Sequence, residues 1–239
     1  MKKYLPNSIT CLNLLSGCIG IVLAFQGKLE SAAYAIALAA LFDFLDGMLA
    51  RVLNAYSPMG KELDSLADMV SFGLLPSVII YQLFLHAPQP EAWSPWFNFS
   101  AFLIAIFSAL RLAKFNIDTR QSENFIGLTT TANALLIASL PLILGSNESI
   151  YWTACILNPF FLVLFSLGMG LLLVSELPLL SLKFKNFDLK SNFLRYILIL
   201  ASITLLLVFK FTAVPMIVIF YILLSVISFR FTGNTSTKN

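Results

Sequence analysis

Four aspartates are the residues of this chain best suited to do chemistry. Asp43, Asp46, Asp64 and Asp68 fall within 26 positions, accompanied by Gly47, Ala50, Arg51 and Gly60. A carboxylate inside a membrane costs roughly 2.5 kcal/mol or more, so each needs a partner that makes its charge tolerable. A pair of divalent cations is the simplest such partner. On a helix, successive residues advance by about 100°, which gathers Asp43, Asp46, Gly47 and Ala50 on one face. Two carboxylates then point the same way, and two small residues beside them leave room for a ligand. Arg51 follows one turn beyond Gly47. Asp64 and Asp68, four apart, share a face of their own helix. Pro58 and Gly60 break the chain between the two helices, so a hairpin is expected whose acidic faces can meet. The stretch has neither His nor Cys, and oxygen-only donors favour Mg²⁺ or Mn²⁺ over zinc. Two metals about 3.5–4 Å apart can clamp the attacking and leaving oxygens of a phosphoryl displacement. The competing readings are a structural role for buried aspartates and the cation site of a membrane transporter.

The elements that must position these groups are membrane helices. Of 239 residues, 59% are hydrophobic and 11% charged, where a soluble domain carries about 25% charged residues. Mean hydropathy is +0.87. The pattern predicts an all-α polytopic transmembrane helix bundle with eight spans, at residues 7–25, 31–53, 67–85, 97–116, 125–145, 154–174, 193–209 and 213–229. Residues 1–239 form one integral membrane domain. Within it, 31–87 is the hairpin carrying the aspartates, 175–192 a basic cytoplasmic loop with Lys183, Lys185 and Lys190, and 232–239 a disordered polar tail. With the N-terminus in the cytoplasm, all fifteen Lys and Arg except Lys28 and Lys210 lie on that side, among them Lys2, Lys3, Arg120, Arg230 and Lys238. The positive-inside rule therefore puts both termini and the mouth of the hairpin in the cytoplasm. Asp43 lies about ten residues, roughly 15 Å, from that end of its helix, so the centre would sit in the cytoplasmic half of the membrane. Pro6 and Asn7 interrupt the charged start and no small-x-small site follows, so the first apolar stretch reads as a retained helix rather than a signal peptide. A formal charge of +3 gives no argument for nucleic acid. A homodimer is compatible with the sequence, although Gly168 and Gly170 do not require one.

Several residues outside the acidic stretch invite a role. Asn7, Thr10 and Asn13 recur every three positions and make a polar stripe on the first helix, serving either helix packing or a pocket wall. Ser71 and Gly73 lie near the Asp64–Asp68 side. Arg111 and Lys114, three apart, either anchor the fourth span at the interface or bind phosphate or carboxylate. His86, Trp93 and Trp96 fall in the outer loop 86–96, where they read as interfacial residues. Cys11, Cys18 and Cys155 have no metal or disulfide spacing and read as small apolar fillers.

The arrangement D-x2-D-G-x2-A-R-x8-G-x3-D-x3-D, filled here at every fixed position from Asp43 to Asp68, resembles the signature of the CDP-alcohol phosphatidyltransferase family. The resemblance implies a two-metal integral membrane enzyme with a six-helix catalytic core plus two further helices, in which an alcohol displaces CMP from a CDP-linked lipid. It implies Asp43, Asp46, Asp64 and Asp68 as metal ligands, with Asp68 also the general base. It implies Asn7 and Thr10 at the nucleotide pocket, and Gly47, Ala50 and Gly60 as small residues that let the nucleotide approach. Arg51 would contact phosphate or pair with an aspartate. The stretches Asp64–Gly73 (DSLADMVSFG), Arg111–Asn116 (RLAKFN) and Phe125–Leu128 (FIGL) resemble the phosphatidylserine synthase branch, which commonly continues with proline where this chain has Thr129-Thr130-Thr131. That branch implies CDP-diacylglycerol and L-serine as substrates, two Mg²⁺ or Mn²⁺ ions, and a bacterial cytoplasmic membrane with the site facing the cytoplasm. Ser71, Arg111 and Lys114 would then contact substrate, the cations holding lipid phosphate or serine carboxylate. The alternatives are a family member using glycerol phosphate, inositol phosphate or choline, and a cation-coupled transporter.

Overall fold

The structure is a computed structural model and describes residues 4–117, 125–146, 150–180, 188 and 192–233. The expected cationic positions Lys2, Lys3, Arg120, Lys183, Lys185, Lys190 and Lys238 lie outside the described residues, as do most of the 175–192 loop and the tail from residue 234. Helix α10 runs on to Gly233, so the first two residues of the expected tail are helical.

The described residues are almost entirely helical. Helices α1 (Tyr4–Phe25) and α2 (Leu29–Val52) form a hairpin turned at Gly27, whose φ of +75° favours glycine. A row of alanines, among them Ala32, Ala35 and Ala39, lets the two backbones approach. The Ser16 hydroxyl donates to the Ala35 carbonyl across that interface at 2.9 Å. After α2 the chain turns through Asn54, at φ +48°, into α3 (Pro58–Asp68). Ser57 caps α3 by accepting from the Gly60 amide at 3.0 Å, and Pro58 fits its first turn, where an N–H would be unsatisfied anyway. The helix then widens into a π-helical turn, Met69–Leu74, before α4 (Leu75–His86). This third rod is the most enclosed. Phe72, Leu75, Ile79, Ile80, Leu83 and Phe84 are fully buried on it and form the middle of the core with Ile36, Ile104 and Ile137.

A 3₁₀ stretch (Pro95–Phe102) leads into α5 (Leu103–Ile117). Then come α6 (Thr130–Ser146), α7 (Ile150–Ile156) and α8 (Pro159–Val174), the last capped by Asn158, and finally α9 (Phe193–Phe209) and α10 (Ala213–Gly233), which pack on each other. Among the described residues, five stretches are long and apolar enough to cross a membrane: Tyr4–Phe25, Leu29–Val52, Pro58–His86, Pro95–Ile117 and Phe193–Ser228. The pair α7 and α8, bent by 67°, makes a sixth, and α6 is a shorter apolar helix. This is a polytopic helical bundle, with five to six crossings by length and composition where the sequence predicts eight. The difference lies in α6, 17 residues long, and in counting Phe193–Ser228 as one stretch although it breaks at Lys210, where φ is +45°.

Two local expectations need correction. The fifth span does not start at 125: Phe125–Ile126 is a two-residue strand paired antiparallel with Pro178–Leu179, and the helix begins at Thr130. Gly127, at φ +74°, makes that pairing feasible, since a Cβ there would lie 2.7 Å from the Leu173 carbonyl and 2.8 Å from that of Ser175. The three cysteines are free and exposed rather than packed into the interior. Trp96 is exposed, but Trp93 packs against Phe84, Phe97 and Phe160 and donates to Asn98 at 2.9 Å.

Candidate metal centre and adjoining cavity

The hairpin brings three of the four aspartates together. Oxygens of Asp43 on α2 and of Asp64 and Asp68 on α3 all lie within 4.8 Å of one another. Asp46 is one turn further along α2 and is buried, with Oδ2 lacking a hydrogen-bond partner; Asp64 Oδ1 is likewise buried and unpartnered. Bare carboxylate oxygens in an apolar bundle are costly unless a cation or donor meets them. Oxygen donors at this spacing fit a hard divalent cation, and no nitrogen or sulfur ligand joins the group. Asp43, Asp64 and Asp68 would hold the metal, with Asp46 at the edge of the set.

The first helix supports this cluster. Asn13 Nδ2 donates to Asp68 Oδ1 at 3.2 Å, and the Ser71 hydroxyl donates to the Asn13 carbonyl at 2.9 Å. Gly17, one turn further, lies so close to the π-helical turn that a Cβ there would meet Ser71 Oγ and sit 3.0 Å from Ser71 Cα. Asp68 is thus set by α1 as much as by its own helix.

A cavity of about 210 Å³ adjoins the carboxylates, lined by Asn7 and Thr10 from α1, Asp46, Gly47 and Ala50 from α2, and Gly60 and Asp64 from α3. Five of the residues expected at the nucleotide pocket therefore share one wall system: Asn7, Thr10, Gly47, Ala50 and Gly60. A Cβ on Gly47 would find nothing closer than 3.9 Å, so no packing contact demands glycine there and the missing side chain simply enlarges the cavity. A Cβ on Gly60 would lie 3.0 Å from Asn7 Oδ1, so at this position the glycine serves the approach of α1 to α3.

The remaining expected site residues go elsewhere. Arg51 is exposed and its Nε donates to the Gly47 carbonyl at 2.9 Å, complementing the C-terminal end of α2. Ser71 is fully buried and bonded to Asn13, outside the cavity wall. Arg111 and Lys114 part company despite their spacing. Arg111 is buried within Coulombic reach of Asp68, its Nη1 3.5 Å from Thr130 Oγ1 and its guanidinium near the Phe115 ring. Lys114 points outward and pairs with Glu176 at 3.3 Å. His86 binds the Gln82 carbonyl through Nδ1 at 2.7 Å, at the end of α4 remote from the aspartates.

Sequence reasoning left out Asn13 as a support of Asp68, and Tyr56, Ser57 and Lys61 as cavity residues. Asn13 continues the polar stripe by one more step of three, which is a usable signal. Lys61 Nζ reaches the Asn116 carbonyl at 3.0 Å and Asn116 reaches Ser65 Oγ at 3.0 Å, tying α3 to the end of α5 through contacts over 50 residues apart in sequence.

Comparison with known proteins agrees with this centre. The model of the CDP-alcohol phosphatidyltransferase family matches residues 3–172. The CDP-diacylglycerol–serine O-phosphatidyltransferase of Mycobacterium leprae is 34% identical over 184 residues, covering 74% of this chain and 58% of that protein. The enzyme of the same name from Bacillus subtilis is 34% identical over 176 residues, covering 73% and 89%. That from Helicobacter pylori strain 26695 is 30% identical over 242 residues, covering 95% and 91%. The chain spans about three-fifths of the length of the mycobacterial relatives it matches. With the family's region running from α1 through α8 and three of the four signature aspartates gathered at one end of the α2–α3 hairpin, the chain belongs to the CDP-alcohol phosphatidyltransferase family.

Proposed function

We propose that the chain is a phosphatidylserine synthase, transferring the phosphatidyl group of CDP-diacylglycerol to the hydroxyl of L-serine and releasing CMP. The observation that carries this reading is the convergence of Asp43, Asp64 and Asp68 beside a polar-walled cavity. The name shared by relatives that match along most of this chain supports serine as the acceptor.

When bound, Mg²⁺ or Mn²⁺ ions held by the four aspartates supply Lewis-acid neutralisation of the diphosphate. The chain's own residues do the rest. Asn7, Thr10, Gly47, Ala50 and Gly60 shape the wall against which the cytidine end rests. Asn13 orients the Asp68 carboxylate through one oxygen, and the other accepts the proton of the serine hydroxyl as it attacks phosphorus. Arg111 places a buried positive charge beside Asp68, suited to lipid phosphate or acceptor carboxylate. Lys114 is already paired with Glu176 and takes a peripheral part. Around this centre we infer eight membrane crossings, with α6, α9 and α10 each of spanning length or just at it. Both termini, and the turn that joins α2 to α3, face the cytoplasm of a bacterial cell, following the Lys and Arg distribution.

The test is lipid synthesis by the purified chain in detergent or nanodiscs. Labelled L-serine enters lipid only with CDP-diacylglycerol and Mg²⁺ or Mn²⁺ present, with CMP released in equal amount. Turnover of glycerol phosphate, inositol phosphate or choline without turnover of serine ends the serine assignment. Absence of CMP release with every acceptor ends the transferase reading.

A further inference from the structure

We infer that Asn133, together with Arg111, Thr130 and Ser108, forms the subsite for the amino-acid acceptor, Asn133 Oδ1 taking its ammonium group and Arg111 its carboxylate. This rests on the serine reading above and assigns it residues.

Asn133, in the first turn of α6, is 0% exposed, and neither its amide oxygen nor its amide nitrogen has a hydrogen-bond partner. Ser108 Oγ is also fully buried and unpartnered, and so is Arg111 Nε. Leaving one buried polar group unsatisfied costs about 1–3 kcal/mol, and at least about nine in ten buried polar groups find partners. Three such side chains in one neighbourhood point to a polar ligand.

The neighbourhood is defined by short steps. Ser108 and Arg111 are one turn apart on α5, and Thr130 and Asn133 one turn apart on α6. The two helices meet where Arg111 Nη1 approaches Thr130 Oγ1. Ser108 faces the π-helical turn that follows Asp68, since a Cβ on Gly73 would lie 3.1 Å from Ser108 Cβ. The group therefore adjoins the proposed base from α5 and α6, whereas the cavity is walled by residues 6–64 of α1, α2 and α3. Attacking and leaving oxygens of a phosphoryl transfer lie roughly in line on opposite sides of phosphorus, so a nucleotide in that cavity leaves the α5–α6 side to the acceptor.

The donor set selects the acceptor's class. One guanidinium, one amide offering both a donor and an acceptor, and two hydroxyls match a zwitterion with one carboxylate and one ammonium. A phosphomonoester, carrying about −1.5 to −2 charges, asks for more cations than Arg111, and the next one along α5, Lys114, is turned outward to Glu176. Choline offers no anion for Arg111.

The experiment measures initial rates of the full chain in nanodiscs against L-serine and against CDP-diacylglycerol separately. Asn133→Leu and Asn133→Ala are each expected to raise the serine KM at least tenfold while the CDP-diacylglycerol KM stays within twofold. An unchanged serine KM, or an equal rise for both substrates, overturns the assignment. On the unaltered chain, 3-hydroxypropionate, which lacks the ammonium, and ethanolamine, which lacks the carboxylate, are expected to inhibit with constants at least tenfold above the serine KM. If either binds as well as serine, the two-point subsite is refuted without any variant. Failure of the unaltered chain to use serine sinks the function and the subsite together. Serine turnover with unaffected variants sinks the subsite alone.

Discussion

Asp68→Asn separates the electrostatic cost of the centre from its catalytic use. The substitution removes one of three carboxylates whose ligand oxygens lie within 4.8 Å of each other. Two ionised groups at that separation repel by about 3.5 kcal/mol at an effective dielectric constant of ~20, and Asp68 has two such neighbours. The introduced amide oxygen can still accept from Asn13 Nδ2, so the link to α1 survives. Water entering the adjoining cavity screens part of the repulsion, and a net relief of about 3 kcal/mol is a reasonable size for the effect. A soluble chain of this length shifts its Tm by about 2–4 °C per kcal/mol, so in EDTA the variant should melt on the order of 6–12 °C above the unaltered protein. Saturating Mn²⁺ should raise the unaltered protein's Tm substantially and the variant's much less, closing or reversing the gap. Transfer activity should fall at least about 100-fold, the lower range for loss of a general base. Thermal unfolding in detergent, with and without Mn²⁺, and a CMP-release assay measure all three. A variant that melts at or below the unaltered protein in EDTA, with no metal-dependent shift in either, refutes the argument that these carboxylates are mutually repelling cation ligands.

The other expectations follow from contrasts between neighbouring residues. Gly17→Ala should destabilise by about 1–3 kcal/mol through collision with Ser71, whereas Gly47→Ala should leave stability unchanged or raise it by up to about 1 kcal/mol while raising the CDP-diacylglycerol KM. Thermal melts and substrate titrations distinguish the two glycines. Arg111→Ala should abolish most serine transfer, but Lys114→Ala should change kcat/KM less than threefold and stability by at most about 1 kcal/mol, because the Lys114–Glu176 pair is solvent-exposed. Labelling with a membrane-impermeant maleimide in intact cells should reach Trp96→Cys and not Met59→Cys, both exposed positions at opposite ends of the bundle; the reverse pattern would invert the proposed orientation.

The acidic hairpin was legible because its information is local. Spacings of three and four residues place carboxylates on helix faces, and Pro58 with Gly60 marks the turn. The same arithmetic also contains a distinction that the sequence reading passed over. Asp43 and Asp46 are about 60° apart around the helix, enough for Asp43 to face Asp64 and Asp68 while Asp46 lines the cavity. Arg111 and Lys114 have the same angular separation, yet one is buried and the other ends at Glu176, because burial was decided by α6 and α8, which no local pattern reveals. The strand pair at Phe125–Ile126 and the contact of Asn13 with Asp68 join residues about 55 apart and were illegible for the same reason. Asn133 carried a usable signal: an amide in an apolar helix asks for a partner as a carboxylate does.

Asn13 also ties the polar stripe of α1 to the acidic centre, which supports the proposed pocket role beside a packing one. Its side chain holds Asp68 and its carbonyl is held by Ser71, so both ends of one residue are fixed by the rod that carries Asp68. Three residues earlier on the same helix, Thr10 faces the cavity, and Asn7 and Pro6 follow. A nucleotide resting on Asn7 and Thr10 therefore bears on the helix that sets the position of the Asp68 oxygens. The π-helical turn completes the arrangement. It begins at Met69, directly after the last signature aspartate, and within it lies Ser71, against which Gly17 leaves room for no side chain. Across this turn, α3 presents Asp64 and Asp68 to Asp43 of α2 while Asp68 and Ser71 lock onto Asn13 of α1.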